Sequence, residues 1–115
     1  MKVAMEIENA VGANATVENV LSGQRFERAP FDCLVTLLST GSAAGLREEL
    51  NVGGRSATPR MVVNAQNRSP VVPDDVRLAE VECLAGELIQ LTVANTTAGA
   101  LTYRARVELE EAQRV

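Results

Sequence analysis

Hydrophobic and polar residues alternate along most of the chain, in short segments separated by turn-forming residues. The last segment is the most regular. Odd positions from 101 to 109 carry Leu, Tyr, Ala, Val and Leu, and even positions from 102 to 110 carry Thr, two Arg and two Glu. A period of two is typical of a strand with one buried and one solvated face. We therefore predict that Tyr103 lies in the core with its hydroxyl near an edge, and that the outer charges pair across strands.

The same alternation predicts a chain of short strands with no convincing helix. The predicted strands are 2–8, 16–21, 24–28, 31–39, 46–52, 61–65, 76–84, 87–93 and about 100–110. Three of them are ambiguous: 16–21 could be a short helix, 24–28 could be an extended segment instead of a short strand, and 46–52 could be a helical turn. As a strand, 46–52 would place Leu46, Glu48, Leu50 and Val52 on one face. Regularly spaced short strands predict a single all-β, antiparallel domain over 1–115, either a sandwich or a barrel of about eight strands.

The segment 31–39 is the most apolar of these strands. Hydrophobic residues occupy both of its faces, with Leu34 and Leu38 on the face opposite to Cys33, Val35 and Leu37. Such a strand is expected in the centre of a sheet, covered on both sides or placed at a subunit contact. Leu34 and Leu38 are therefore candidate interface residues.

A second candidate interface is the acid-free segment 50–73. It contains Arg55, Arg60 and Arg68 and no Asp or Glu, so it carries +3 while the rest of the chain carries −7, for a net charge of −4. Its glycines and prolines predict loops, and loops on a rigid scaffold commonly make contacts. The segment either meets an acidic patch on a neighbouring subunit or on another protein, or consists of three solvated arginines.

Composition argues against several functional classes. Aromatic residues make up 3% of the chain and Trp is absent, which disfavours binding of sugars or single-stranded nucleic acid by stacking. The acidic net charge disfavours nucleic-acid binding in general. The apolar runs are too short for a membrane-spanning helix, and the N-terminus does not resemble a signal peptide. We expect neither nucleic acid nor a membrane as a partner.

Chemistry-bearing residues are equally sparse. There is no His to act as a general base, and two Cys cannot complete a zinc site alone, so we predict no enzyme activity, no catalytic residue, no metal and no cofactor. Asp74 and Asp75 are a weak candidate for Ca²⁺ binding. Cys33 and Cys83 could form a disulfide, but a domain of this size does not need one, and two buried thiols are the preferred interpretation.

The segment "CLAGELIQLTVANTTAGALTYRARVELEE", residues 83–111, resembles the C-terminal hairpin of small β-sandwich proteins in the virions of tailed and other bacterial viruses. The resemblance implies that the domain is a single antiparallel, jelly-roll-like β-sandwich. It also implies a non-enzymatic structural protein of the virion, either a capsid decoration (cement) protein or a small coat component, assembled in the host cytoplasm. Its implied partners are capsid protein subunits and further copies of itself, for instance in a trimer. It carries no site residues. The alternative is a carbohydrate- or ligand-binding β-sandwich module of the adhesin type.

Overall fold

The chain folds into short strands throughout the part that the structure describes. The structure is a computed structural model, and it describes residues 2–56, 61–63 and 77–111. These residues contain strands and turns and no helix. The strands are β1 (Lys2–Val11), β2 (Thr16–Val17), β3 (Cys33–Gly41), β4 (Leu46–Val52), β5 (Arg55–Ser56), β6 (Met61–Val62), β7 (Arg77–Cys83), β8 (Ile89–Asn95) and β9 (Leu101–Glu111).

The strands form two antiparallel sheets. Sheet A has the order β1-β9-β3-β7, and sheet B has the order β2-β8-β4-β5, with β6 also pairing with β4. The chain pairs with itself from its ends inward: β1 with β9, β2 with β8, β3 with β7, and β4 with β5 and β6. A long antiparallel ribbon rolled up in this way is a jelly roll. The prediction of an all-β, jelly-roll-like sandwich is therefore confirmed.

The core lies between the two sheets and is almost wholly aliphatic. On β8 the side chains of Ile89, Leu91 and Val93 are buried, as their alternation predicts. On β4 the side chains at positions 46, 48, 50 and 52 all point inward, so 46–52 is a strand and not a helical turn. Burial of each aliphatic side chain of this size stabilises the folded state by about 1.5–3 kcal/mol.

The segment 16–21 forms a much shorter strand than its pattern predicts. Only Thr16 and Val17 pair with β8. Beyond them the side chain of Asn19 accepts hydrogen bonds from the backbone N–H groups of Leu21 (3.0 Å) and Leu91 (3.2 Å). An Asn side chain that binds backbone N–H groups replaces the ladder with a turn, which is why the strand ends early.

The predicted strand at 24–28 is wrong. The N–H of Glu27 donates to the carbonyl of Gln24 at 3.3 Å, so the backbone coils into a turn. Arg28 makes one isolated β-bridge, with Leu88. This segment still covers one end of the core, because the carbonyl of Glu27 accepts a 2.7 Å hydrogen bond from the N–H of Ile89.

Candidate functional site

The outer face of sheet A carries a ladder of paired charges on β1 and β9. Arg106 lies opposite Glu6, with 2.5 Å between Nη1 and Oε1. Arg104 lies opposite Glu8, with 3.4 Å between Nη2 and Oε1. Arg104 and Arg106 of the last strand thus pair with acids on β1, as the charges of both signs on its outer face suggested. Ion pairs this exposed stabilise the fold little, so their main effect is to keep the face polar.

Glu108 is the one acid of this ladder that is nearly buried. Burial alone would raise the pKa of Glu108, but a 2.9 Å hydrogen bond from Arg106 Nε and the charge of Lys2 outweigh it, and the net pKa is lowered. The hydrogen bonds to Glu108 and Glu6 in turn raise the pKa of Arg106. Both shifts favour the charged forms of Glu108 and Arg106, which form an ion pair at 2.9 Å.

One end of sheet A is different, because it exposes hydrophobic side chains. Leu34 on β3 is 37% exposed and Leu84, directly after β7, is 60% exposed; these are the large hydrophobic residues that are exposed among those described. Leu34 lies opposite Glu82 on one side and Glu110 on the other, and both glutamates are exposed. We call these four residues the apolar–acidic patch.

The loop that follows β7 holds this patch in place. The N–H of Leu84 donates to Glu87 Oε1 at 2.8 Å, and the N–H of Ala85 donates to Asp32 Oδ1 at 2.9 Å. The N–H of Gly86 donates to the carbonyl of Ala29 at 2.8 Å. The exposed Leu84 therefore stands on a fixed backbone rather than on a loose loop, as a contact surface requires.

The two leucines predicted as interface residues have different surroundings. Both lie on the outer face of β3, yet Leu34 is exposed while Leu38 is fully buried. Leu38 sits between β7 and β9, near the bulge that shifts the β3–β7 register after Leu37. Leu34 can meet a partner in this arrangement and Leu38 cannot.

The predicted basic face is described at one of its three arginines. The side chain of Arg55 is 64% exposed, and its Nη2 lies 3.1 Å from Glu87 Oε1. Its Nε also donates to the carbonyl of Val52 at 3.3 Å. The charge of Arg55 is thus engaged within the chain. Arg60 and Arg68 lie outside the described residues, so the basic face stays a prediction.

A buried polar cluster joins the two sheets inside the core. Glu48 of sheet B receives a 2.6 Å hydrogen bond from Ser39 Oγ on one oxygen and a 2.6 Å hydrogen bond from the Tyr103 hydroxyl on the other. All three side chains are fully buried. Tyr103 is in the core as predicted, but its hydroxyl binds Glu48 across the sandwich instead of lying at an edge. The cluster is sealed from solvent, so its geometry supports a bracing role rather than contact with a substrate.

Burial sets the protonation of this cluster. It raises the pKa of Glu48, and the hydrogen bonds from Ser39 and Tyr103 offset that effect only in part. Burial, followed by the neighbouring carboxyl, also raises the pKa of Tyr103 well above its ordinary value. The sequence contained one signal of this cluster, since Glu48 falls on the inner parity of a strand whose other inner residues are aliphatic. It contained no signal of the two hydroxyl partners.

The two cysteines are brought together. Cys33 and Cys83 lie opposite each other on β3 and β7, and both are buried free thiols. Burial and the neighbouring thiol raise the pKa of Cys83 to about 12, and burial also raises the pKa of Cys33. The preferred interpretation as buried thiols is confirmed. Protonated, buried thiols are poor nucleophiles.

No other chemical site stands out within residues 2–56, 61–63 and 77–111. In these ranges no three acidic, His or Cys side chains cluster in a way that could hold a metal ion. Asp74 and Asp75 lie outside them. Nor does this part of the chain contain a helix long and apolar enough to cross a membrane. No protein-family model, curated protein or solved structure matches the chain.

Proposed function

We propose that this protein is a non-enzymatic structural component of a bacterial virus, a capsid decoration or small coat protein that binds a protein shell through the apolar–acidic patch. The observation that carries the proposal is the position of Leu34 and Leu84 at one rigid end of sheet A, next to Glu82 and Glu110. Jelly rolls are common among viral capsid domains, and the resemblance of residues 83–111 to virion proteins points the same way.

The chemistry of the patch defines its partner. Two leucines that lose their exposed area on binding supply affinity, whereas the flanking carboxylates supply orientation and exclude acidic surfaces. The complementary surface on a shell is an apolar recess with arginines or lysines at its rim. Many identical sites on a symmetric shell would hold such a protein even if each single contact were weak.

The lectin-like alternative, also known among jelly rolls, finds less support. A sugar-binding surface commonly offers an exposed aromatic ring on which the ligand packs. Here Tyr103 is fully buried, and Phe26 and Phe31 are partly buried against the core. The sealed Ser39–Glu48–Tyr103 cluster likewise offers no group to a substrate, which supports a non-enzymatic role.

The test is co-sedimentation of the purified protein with shells assembled from the major coat protein of the virus that encodes it. We expect the wild-type protein to sediment with the shells, and we expect L34S/L84S to reduce the bound fraction at least about tenfold, since two buried leucines contribute more than 1.4 kcal/mol. The charge variant E82K/E110K should lose binding as well. The matched control is Glu18→Lys, which changes an exposed acid beyond β2 and should bind like wild type.

A wild-type protein that leaves these shells bare would refute the proposal. So would L34S/L84S and E82K/E110K variants that keep full binding, since the patch would then not be the contact. Far-ultraviolet circular dichroism of each variant shows whether a loss of binding reflects unfolding.

A further inference from the structure

Strand β1 is an edge of sheet A among the strands that the structure describes. It pairs with β9 over ten consecutive residues without a register shift, and no described strand pairs with its other side. The edges of sheet B are two-residue strands, and β7 at the opposite edge of sheet A has seven residues. The main-chain groups along the outer side of β1 therefore form the longest open edge in the described part of the molecule.

This edge lacks the features that usually block pairing. Long edge strands in monomeric proteins commonly carry a proline, a bulge or an inward-pointing charge. The sequence "KVAMEIENAV" has no proline, and its ladder with β9 has no bulge. Its inward residues include Val3, Met5 and Ile7, whereas its charged residues Lys2, Glu6 and Glu8 all point outward. An edge of this kind is open to a further strand.

The charges of β1 select a second copy of the same strand. When two copies pair antiparallel about a two-fold axis, the apolar faces stay continuous only if odd residues lie opposite odd residues. An axis at Met5 sets Lys2 of each copy opposite Glu8 of the other, over residues 2–8. An axis at Glu6 sets Glu6 against Glu6.

The remaining symmetric registers are less favourable. An axis at Ile7 places Glu6 opposite Glu8 twice, which is repulsive. An axis at Ala4 sets Lys2 opposite Glu6 but pairs only residues 2–6. The Met5 axis thus gives the longest overlap that joins opposite charges and sets no like charges directly opposite each other.

We propose that β1 is a homodimer interface in which two copies pair antiparallel about Met5, joining their A sheets into one eight-stranded sheet. The interface is isologous, so each favourable contact occurs twice. Backbone hydrogen bonds supply the attachment, and the two Lys2–Glu8 pairs set the register. The inference goes beyond the binding of a shell and does not depend on it, because it rests on the outer edge of β1 and is tested without shells; Lys2 does lie opposite Glu110 of the apolar–acidic patch.

The test is sedimentation equilibrium of the isolated protein, without shells, on charge-reversal variants. Lys2→Glu places acids at both positions 2 and 8, and Glu8→Lys places bases at both. Each variant alone therefore sets like charges opposite each other twice, and we expect its dimer dissociation constant to rise about tenfold or more. An equimolar mixture of the two variants restores opposite charges at both contacts, and we expect it to form heterodimers close to wild-type strength.

Rescue in the mixture separates pairing across the dimer from any effect on the fold of one chain, because neither chain has regained its own charges. The matched control is Arg47→Glu, which reverses an exposed charge on β4 in the other sheet and should leave dimerisation unchanged. A wild-type protein that stays monomeric at millimolar concentration overturns the proposal. It is also overturned if the mixture shows no rescue, or if both single variants dimerise like wild type.

Discussion

The buried carboxyl of Glu48 makes the stability of the fold depend on pH, and Glu48→Gln tests this. The pKa of Glu48 is raised above its ordinary value of 4.5, chiefly by burial. Between the unfolded and folded pKa values the folded chain keeps a proton that the unfolded chain has lost, so stability falls as pH rises through this window. The stability that Glu48 contributes by holding its proton is fully present below pH 4.5 and is lost once the pH exceeds the pKa of Glu48 in the folded protein.

The size of this pH dependence is set by how far folding raises the pKa of Glu48. Each unit by which folding raises the pKa removes about 1.4 kcal/mol of unfolding free energy at high pH. Gln has nearly the same shape as Glu and can still bond the hydroxyls of Ser39 and Tyr103, but it cannot ionise. The difference in unfolding free energy between Glu48→Gln and the wild type should therefore move in favour of the variant as pH rises above about 4.

The measurement is urea unfolding followed by circular dichroism at a series of pH values. The control is Glu18→Gln, which also removes one carboxylate but from an exposed position, so that any effect of net charge alone can be subtracted. A difference between Glu48→Gln and wild type that stays constant with pH, after this subtraction, would refute the argument.

The hydrogen bonds of the Ser39–Glu48–Tyr103 cluster can be tested with the same urea-unfolding assay. Glu48→Leu leaves the hydroxyls of Ser39 and Tyr103 buried without their acceptor, and each such group costs about 1–3 kcal/mol. The triple variant S39A/E48L/Y103F removes the orphaned hydroxyls as well and should recover most of that loss. If the triple variant is no more stable than Glu48→Leu, the two hydroxyls do not depend on the carboxylate as their hydrogen bonds indicate.

Three other predictions concern single positions. Gly45→Ala should lower the unfolding free energy by about 1–3 kcal/mol in urea titrations, because φ is +122° there and a Cβ would overlap Thr97. Native Cys83, with its pKa near 12, should resist iodoacetamide at neutral pH and react once urea unfolds the chain; rapid labelling of the native protein by mass spectrometry would contradict this. Asn95→Ala should cost about 2–5 kcal/mol in thermal or urea unfolding, because the amide of buried Asn95 donates to the carbonyls of Val11 (3.0 Å) and Gly99 (2.8 Å); a loss below 1 kcal/mol would argue against those bonds.

The alternation of hydrophobic and polar residues correctly predicted which side chains of a strand face the core. It placed Ile89, Leu91 and Val93 in the core, and it identified β3 as a central strand from its two apolar faces. It failed at 16–21 and 24–28, because turns there are made by side-chain and backbone hydrogen bonds that leave no trace in a hydrophobic pattern.

Parity cannot predict which residues meet across the sandwich. Glu48 finds one partner nine positions away, at Ser39, and another 55 positions away, at Tyr103. Parity also treats Leu34 and Leu38 alike, since both lie on the outer face of β3. Their different exposure, with Leu38 fully buried and Leu34 37% exposed, does not follow from the alternation of residues along β3.

The open edge at β1 is a consequence of the rolled ribbon rather than of the sequence of β1. The ribbon pairs the first strand with the last, and β9 then uses its other side to pair with β3, so β1 is left at the end of the sheet. The same roll sets Leu34 between Glu82 and Glu110, although the three residues are far apart in the sequence. Both proposed contacts therefore follow from the order of the strands. A substitution that changes the exposed side chains without changing that order should abolish either contact while leaving the fold intact.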